Sequence, residues 1–254
     1  MQVVNLIIFF IFGTVMGSFY TVVGLRLPKN ENFTTTKSHC DSCGHELKMI
    51  EMIPLISYII QRGRCRYCKK KIDVLFPYME FFTGLLYCVA YYSFGFSLEL
   101  LLAIGVISLF MIVIVSDLTY FIIPDQVLIF FSIYFFIIQI LLLGFKGAIL
   151  KVLSAIFLFG IMYLIMLLGN KLFKKESLGG GDIKMMFVFG LVLDPLLGVF
   201  SIFLGSLIAL PVSILLLKKN KEKIIPFGPF LLIAFNIIFF TKITSQTIIT
   251  WLGL

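Results

Sequence analysis

The sequence predicts an all-α polytopic membrane protein of about eight transmembrane helices, with its N-terminus outside and a cytoplasmic cysteine-bearing loop domain after the first helix. Three observations predict it. Hydrophobic residues make up 60% of the 254 residues and charged residues only 13%, about half the roughly 25% usual in soluble chains. Apolar runs recur along the whole chain, most of them near the ~18 or more residues that a helix needs to cross a bilayer. The basic residues, which give a net charge of +8, gather in alternate connections between those runs.

The runs place helices at 3–25, 78–95, 98–116, 126–144, 148–169, 183–193, 196–217 and 228–250. An external N-terminus puts residues 26–77, 117–125, 170–182 and 218–227 on one side. Those loops, with Lys184 just inside its helix, hold every basic residue except Lys146, Lys151 and Lys242. The positive-inside rule makes that side cytoplasmic. Charge that follows the loops is a topology signal and not a nucleic-acid signature. The first run, Val3 to Leu25, has no basic residue before it and reads as a retained helix, since a secretory signal would carry a positive n-region. The segment 183–193 is only about 16 Å long at 1.5 Å per residue. It must begin within the membrane or recruit the glycines before it, and irregular backbone at that depth has to line a cavity.

Gly13, Gly17 and Gly24 recur on one face of the first helix with Ser18 beside them, a pattern that allows close helix packing. Arg26-Leu27-Pro28 marks the cytoplasmic exit, and the chain divides into a first helix (1–27), a polar loop (28–77) and a helical remainder (78–254). In the loop, Cys40 and Cys43 form one C-x2-C pair and Cys65 and Cys68 another, 21 residues apart. Two such turns can close a four-thiolate zinc site. A reducing cytoplasm disfavours disulfides, and four thiolates leave no open position, so the zinc would be structural. His39 and His45 flank the first pair as weaker candidates; Cys88, alone in an apolar helix, suits core packing. Between the pairs, Ile53 to Tyr58 suggests a re-entrant or interfacial turn, with Arg62 and Arg64 at the headgroups of the membrane lipid. Glu80 opens the next helix, where an acid complements the helix dipole or holds a cationic group.

Asp117 closes a helix, where negative charge is unfavourable. Pro124 then breaks the chain, and Asp125 suits the N-cap of the following helix. Downstream lies Leu178-Gly179-Gly180-Gly181-Asp182-Ile183-Lys184. A carboxylate at a membrane edge is costly and pairs, lines a cavity or does chemistry, and the glycines remove side chains that would keep another backbone away. Brought together, Asp117 and Asp182 can share one proton and activate a water; they are the candidate catalytic pair. Asp125, Gly179, Gly181, Lys184 and Glu80 form the candidate substrate-binding set. Asp194-Pro195 reads as a cap and N1 proline, Lys218 to Lys223 as a solvated loop near anionic lipid, and Pro226-Phe227-Gly228-Pro229-Phe230 as a rigid turn that shapes a peptide groove. No internal repeat stands out.

With these residues in view, the chain resembles the bacterial type IV prepilin peptidases, membrane aspartic proteases of the GxGD type. The resemblance rests on Gly17-Ser18-Phe19, Arg26-Leu27-Pro28, both cysteine pairs, Pro54 to Tyr58 and Arg62-Gly63-Arg64. It continues through Pro77, Glu80, Thr83-Gly84, Asp117, Pro124-Asp125, Glu176, Gly179 to Lys184 and Pro226 to Phe230. Leu178 stands where many members carry methionine. The resemblance implies that Asp117 and Asp182 are the catalytic aspartates of an enzyme that cuts leaders from prepilins and pseudopilins at the cytoplasmic face of the plasma membrane. It also implies N-methylation of the new terminal residue from S-adenosylmethionine, with the cysteine loop in the methyltransferase part. The residues alone leave open a polytopic ion transporter or another membrane signal peptidase using the same aspartates. The absence of HExxH argues against a zinc intramembrane protease.

Overall fold

The computed structural model describes residues 1–40, 42–174, 178–219, 226–251 and 253. The expected features at Lys175, Glu176 and 220–223 lie outside them. The described residues are helical apart from turns and loops and contain no β-strand. They fall into two compact units, Met1–Phe96 and Ser97–Leu254.

In the first unit, α1 (Gln2–Arg26) packs along α3 (Leu75–Phe94). The polarity of α1 is inverted relative to a soluble helix: Gly13, Thr14, Gly17, Tyr20 and Thr21 are buried, while Ile7, Ile8, Ile11 and Phe12 are exposed. Where lipid replaces water, apolar bulk gains nothing by facing inward and small residues draw the backbones together. A Cβ on Gly13 would lie 2.8 Å from the Gly84 Cα, and one on Gly17 would lie 2.7 Å from Thr83 Oγ1. Asn5 donates to Tyr91 Oη (2.6 Å) and the hydroxyls of Tyr20 and Tyr87 pair (2.8 Å), adding polar contacts along the same seam.

The second unit contains α4 (Leu98–Tyr120), α5 (Asp125–Phe173), α6 (Gly180–Val192), α7 (Pro195–Lys219), α8 (Gly228–Thr241) and α9 (Ser245–Trp251). Ser97 caps α4 by accepting from the Leu100 N–H. The helix runs one turn past its expected end, so Asp117 lies in its last turn and not at its end. The two helices expected at 126–144 and 148–169 are both present: α5 is two helices that meet at Gly144, whose φ of 72° and ψ of 174° are not helical and are reserved almost entirely for glycine. The single span expected at 228–250 is divided by Lys242, which takes a left-handed conformation and ends α8.

The short segment behaves as its length requires. α6 begins inside the glycine run, extending the expected helix by a turn to about 20 Å. Its far end is completed by α5: Gln139 Nε2 donates to Leu191 O (3.0 Å), Lys151 Nζ to Val192 O (3.1 Å) and Ser154 Oγ to Leu193 O (3.1 Å). Those carbonyls would otherwise lack partners in an apolar setting. The helices pack closely, since a Cβ on Gly190 would collide with the Ala155 backbone. By length and apolarity, four helices suffice to cross a membrane among the described residues: those beginning at Gln2, Leu98, Asp125 and Pro195. The chain is a multi-pass membrane protein.

Candidate active site

α4 ends because Phe121 turns left-handed (φ 57°), its N–H closing on the Asp117 carbonyl at 2.9 Å. Ser116 Oγ donates to the Ile122 carbonyl, fastening the connection back onto the helix. That leaves Ile123 aimed at the glycine run: a Cβ on Gly181 would sit 2.8 Å from the Ile123 Cβ. Position 181 therefore has no room for a side chain, because an isoleucine occupies its space.

Asp182 is the third residue of α6. Its amide donates to Gly179 O (3.1 Å) and its carboxylate reaches back to the Gly179 N–H, as the N3 acid of a capping box does. Asp117 and Asp182 are each only 6% exposed. Both point at the first residue of α8. A Cβ built on Gly228 would lie 2.7 Å from Asp117 Oδ2 and 3.1 Å from Asp182 Oδ1. The two oxygens are thus at most about 6 Å apart, a range over which two carboxylates govern each other's protonation. The N-terminal end of α8, positive by its peptide dipoles, faces both.

The other expected site residues fall into three groups. Asp125 is the first helical residue of α5 and makes no capping bond; Pro124 holds the N-cap position. Its carboxylate instead accepts two hydrogen bonds from Lys184 Nζ, at 2.7 and 2.8 Å, with both side chains more than half exposed. Gly179 and Gly181 lie beside Asp182 as the backbone requires. Glu80 belongs to the first unit and is buried there. It accepts from the Leu55 N–H (2.8 Å) and from Ser18. Leu55 is the centre of a γ-turn, with φ of 61° and Ile56 N–H bonded to Pro54 O, a strained turn that the carboxylate holds in place. Gly228 was not among the expected site residues; its signal was the glycine framed by Pro226 and Pro229.

The loop carries a second centre. The sulfurs of Cys40, Cys43, Cys65 and Cys68 all lie within 4.8 Å of one another, and Cys40 and Cys68 are 3.9 Å apart. Ligands about 2.3 Å from a tetrahedral zinc would stand roughly 3.8 Å from each other. Backbone N–H groups of Ser42 and Cys43 point at the Cys40 sulfur and hold its pKa down to about 7. At Cys43 the His45 N–H acts in the same sense, but desolvation and the neighbouring thiols push the pKa up to about 11. Four thiols this close need a cation to ionise together, and the donor set fits zinc. His39 and His45 are outside the cluster; His45 packs against Tyr67 with ring centroids 3.5 Å apart and the rings tilted by 36°.

The two cysteine pairs are one structure used twice, an internal repeat that the residues themselves conceal. In the first, Cys40 N–H donates to His45 O, Gly44 N–H to Cys40 O and Leu47 N–H to Ser38 O; in the second, Cys65 donates to Lys70, Lys69 to Cys65 and Ile72 to Gly63. Isolated bridges join His39 to Glu46 and Arg64 to Lys71 in matching positions. Between Ser38-His39-Cys40 and Gly63-Arg64-Cys65 only the cysteines match, because backbone bonds build the turn and leave its surface side chains free.

Comparison with known proteins gives a consistent picture. Residues 11–94 match the Bacterial Peptidase A24 N-terminal domain and residues 103–214 the Type IV leader peptidase family. A prepilin leader peptidase/N-methyltransferase of Bacillus subtilis is 34% identical, covering 87% of this chain and 88% of that protein. A protein of the same name from Myxococcus xanthus is 33% identical over 75% of this chain and 57% of its own greater length. Another from Pseudomonas aeruginosa is 29% identical over 87% and 85%. No solved structure matches the chain.

Proposed function

This chain belongs to the type IV leader peptidase family, and on that premise we propose that Asp117 and Asp182 are the pair with which it cuts the leader from prepilins and pseudopilins. It is a membrane peptidase that also N-methylates the residue freed by the cut. The observation that supports the assignment of the pair is the convergence of both carboxylates on the bare backbone at Gly228.

The chemistry follows from the pair. One ionised carboxylate takes a proton from water as it attacks the scissile carbonyl; the protonated partner donates to the carbonyl oxygen, and the roles exchange as the amine leaves. The two titrate as a unit. The glycines at 179 and 181 and the backbone at Gly228 leave an extended peptide room to approach. The exposed Asp125–Lys184 pair offers a charged contact for substrate at the rim, while Glu80 acts on the cysteine loop by fixing the turn at Leu55. In the charge-based topology, eight spans cross the plasma membrane, the N-terminus is outside and the pair faces the cytoplasm.

The loop of residues 28–77 serves methyl transfer and residues 78–254 cleavage. Cys40, Cys43, Cys65 and Cys68 would hold a structural zinc, which fixes the two turns to each other. The methyl donor is S-adenosylmethionine. A cavity in this loop is lined by Arg62, Arg64, Arg66 and Lys69 with the single carboxylate of Glu51, a charge that opposes a sulfonium. The deciding experiment incubates the full chain in detergent with a prepilin-like peptide and locates the cut by mass spectrometry. Cleavage by the parent protein and none by Asp182→Asn is expected; equal cleavage by both overturns the assignment.

A further inference from the structure

The cysteine loop contains a cavity of about 470 Å³. Its lining combines the basic side chains Arg62, Arg64, Arg66 and Lys69 with the apolar Ile50 and Ile60. Among the described residues the three guanidinium groups have no carboxylate partner, in contrast to Lys37, Lys151 and Lys184. Glu51, the acid in the cavity, is buried and accepts the Lys48 N–H at 2.9 Å.

The arginines are presented by a rigid turn. Helix α2 (Ile56–Ile60) closes with Gly63 N–H bonded to Tyr58 O and Arg62 N–H to Ile59 O, the two bonds of a Schellman motif. Arg62 and Gly63 both adopt positive φ, and a side chain on Gly63 would meet the Tyr58 ring. The start of α2 is pinned by the bond from Leu55 to Glu80. Glu80 lies in the second turn of α3 and also contacts Ser18, two turns inside the cytoplasmic end of α1. This bond places the start of α2 beside α3 and not beyond its end. There it exposes Ile59 at 73% and Ile60 at 71%, beside Ile50 at 71% and Met49 at 82%.

We propose that this cavity binds the phosphate headgroup of an anionic phospholipid, with the isoleucines against its acyl chains. Guanidinium pairs with phosphate through parallel N–H groups, and basic residues at the membrane surface draw anionic lipid. Apolar side chains next to unpaired arginines at membrane depth match a molecule that is anionic at one end and hydrocarbon at the other. The site anchors the cysteine loop to the bilayer surface. It rests on this loop alone and stands or falls apart from the assignment of Asp117 and Asp182.

The test uses the full chain, delipidated in detergent and examined by native mass spectrometry with added phosphatidylglycerol, phosphatidylcholine, inorganic phosphate or S-adenosylhomocysteine. The parent protein should retain phosphatidylglycerol over phosphatidylcholine. Arg62→Gln, Arg64→Gln and Arg66→Gln should weaken that retention about five-fold each, on the order of a hundred-fold together. Removing three other cations, Lys146, Lys171 and Lys174, should leave it unchanged, as should Asp182→Asn. Ile59→Ser with Ile60→Ser should weaken retention while sparing helical content. Equal retention of both lipids, equal loss on removing the three lysines, inorganic phosphate binding without phosphatidylglycerol, or displacement of lipid by S-adenosylhomocysteine would each overturn the proposal.

Discussion

Gly228 leaves the space that the Asp117 carboxylate fills: a single Cβ at position 228 would stand 2.7 Å from Asp117 Oδ2. The atom it would meet is the free end of a side chain, which can rotate away at little steric cost. Gly228→Ala should therefore leave the fold intact and move the carboxylate. A misplacement of this size costs about a hundred-fold in rate. Cleavage kinetics alongside thermal unfolding will check this, and unchanged cleavage would show that Asp117 needs no fixed position.

Asp117→Asn and Asp182→Asn should each lower cleavage by several orders of magnitude, as loss of one member of a catalytic unit does, and the double variant should be scarcely worse. Membrane insertion and helical content should not change. Additive losses would mean that the two residues act separately.

The Asp125–Lys184 pair is more than half exposed on both sides and should contribute no more than about 1 kcal/mol to stability. If it contacts substrate at the rim, Lys184→Met and Asp125→Asn should raise KM with little change in kcat. Exchanging the two residues should restore the ion pair without restoring KM. A fall in unfolding temperature equal to that of a buried-core variant would instead make the pair structural.

Metal analysis should find one zinc per chain, lost in Cys40→Ser and Cys65→Ser. Because the loop's two turns are joined through the cluster, chelation should loosen the loop and suppress methylation more than cleavage. Full methylation in metal-free protein with cleavage lost would reverse the assignment of the loop.

Single cysteines at Lys146 and Lys171, in a background with the five native cysteines replaced by serine, should label from opposite sides of the membrane. Labelling of both from one side would mean that the segment after Gly144 does not cross, and the eight-span count would fall.

Much of the fold was legible because a bilayer imposes its own periodicity and length. Apolar runs, the glycine seam of α1 and the basic loops follow from what lipid and headgroups permit at each depth, one segment at a time. The cysteine pairs were legible for a similar reason, since metal ligation fixes residue type and spacing locally. The sequence also singled out Asp117 and Asp182, as carboxylates that apolar surroundings do not tolerate without a reason. It could not say that their oxygens meet at Gly228. Nor could it say that Asp125 turns from the cap of α5 to Lys184, or that Glu80 holds the turn at Leu55. Those partners lie 25 to 111 residues apart in the chain. Only the packing of α4, α5, α6 and α8 in one unit, and of the turn at Leu55 against α3 in the other, decides which side chains share a space.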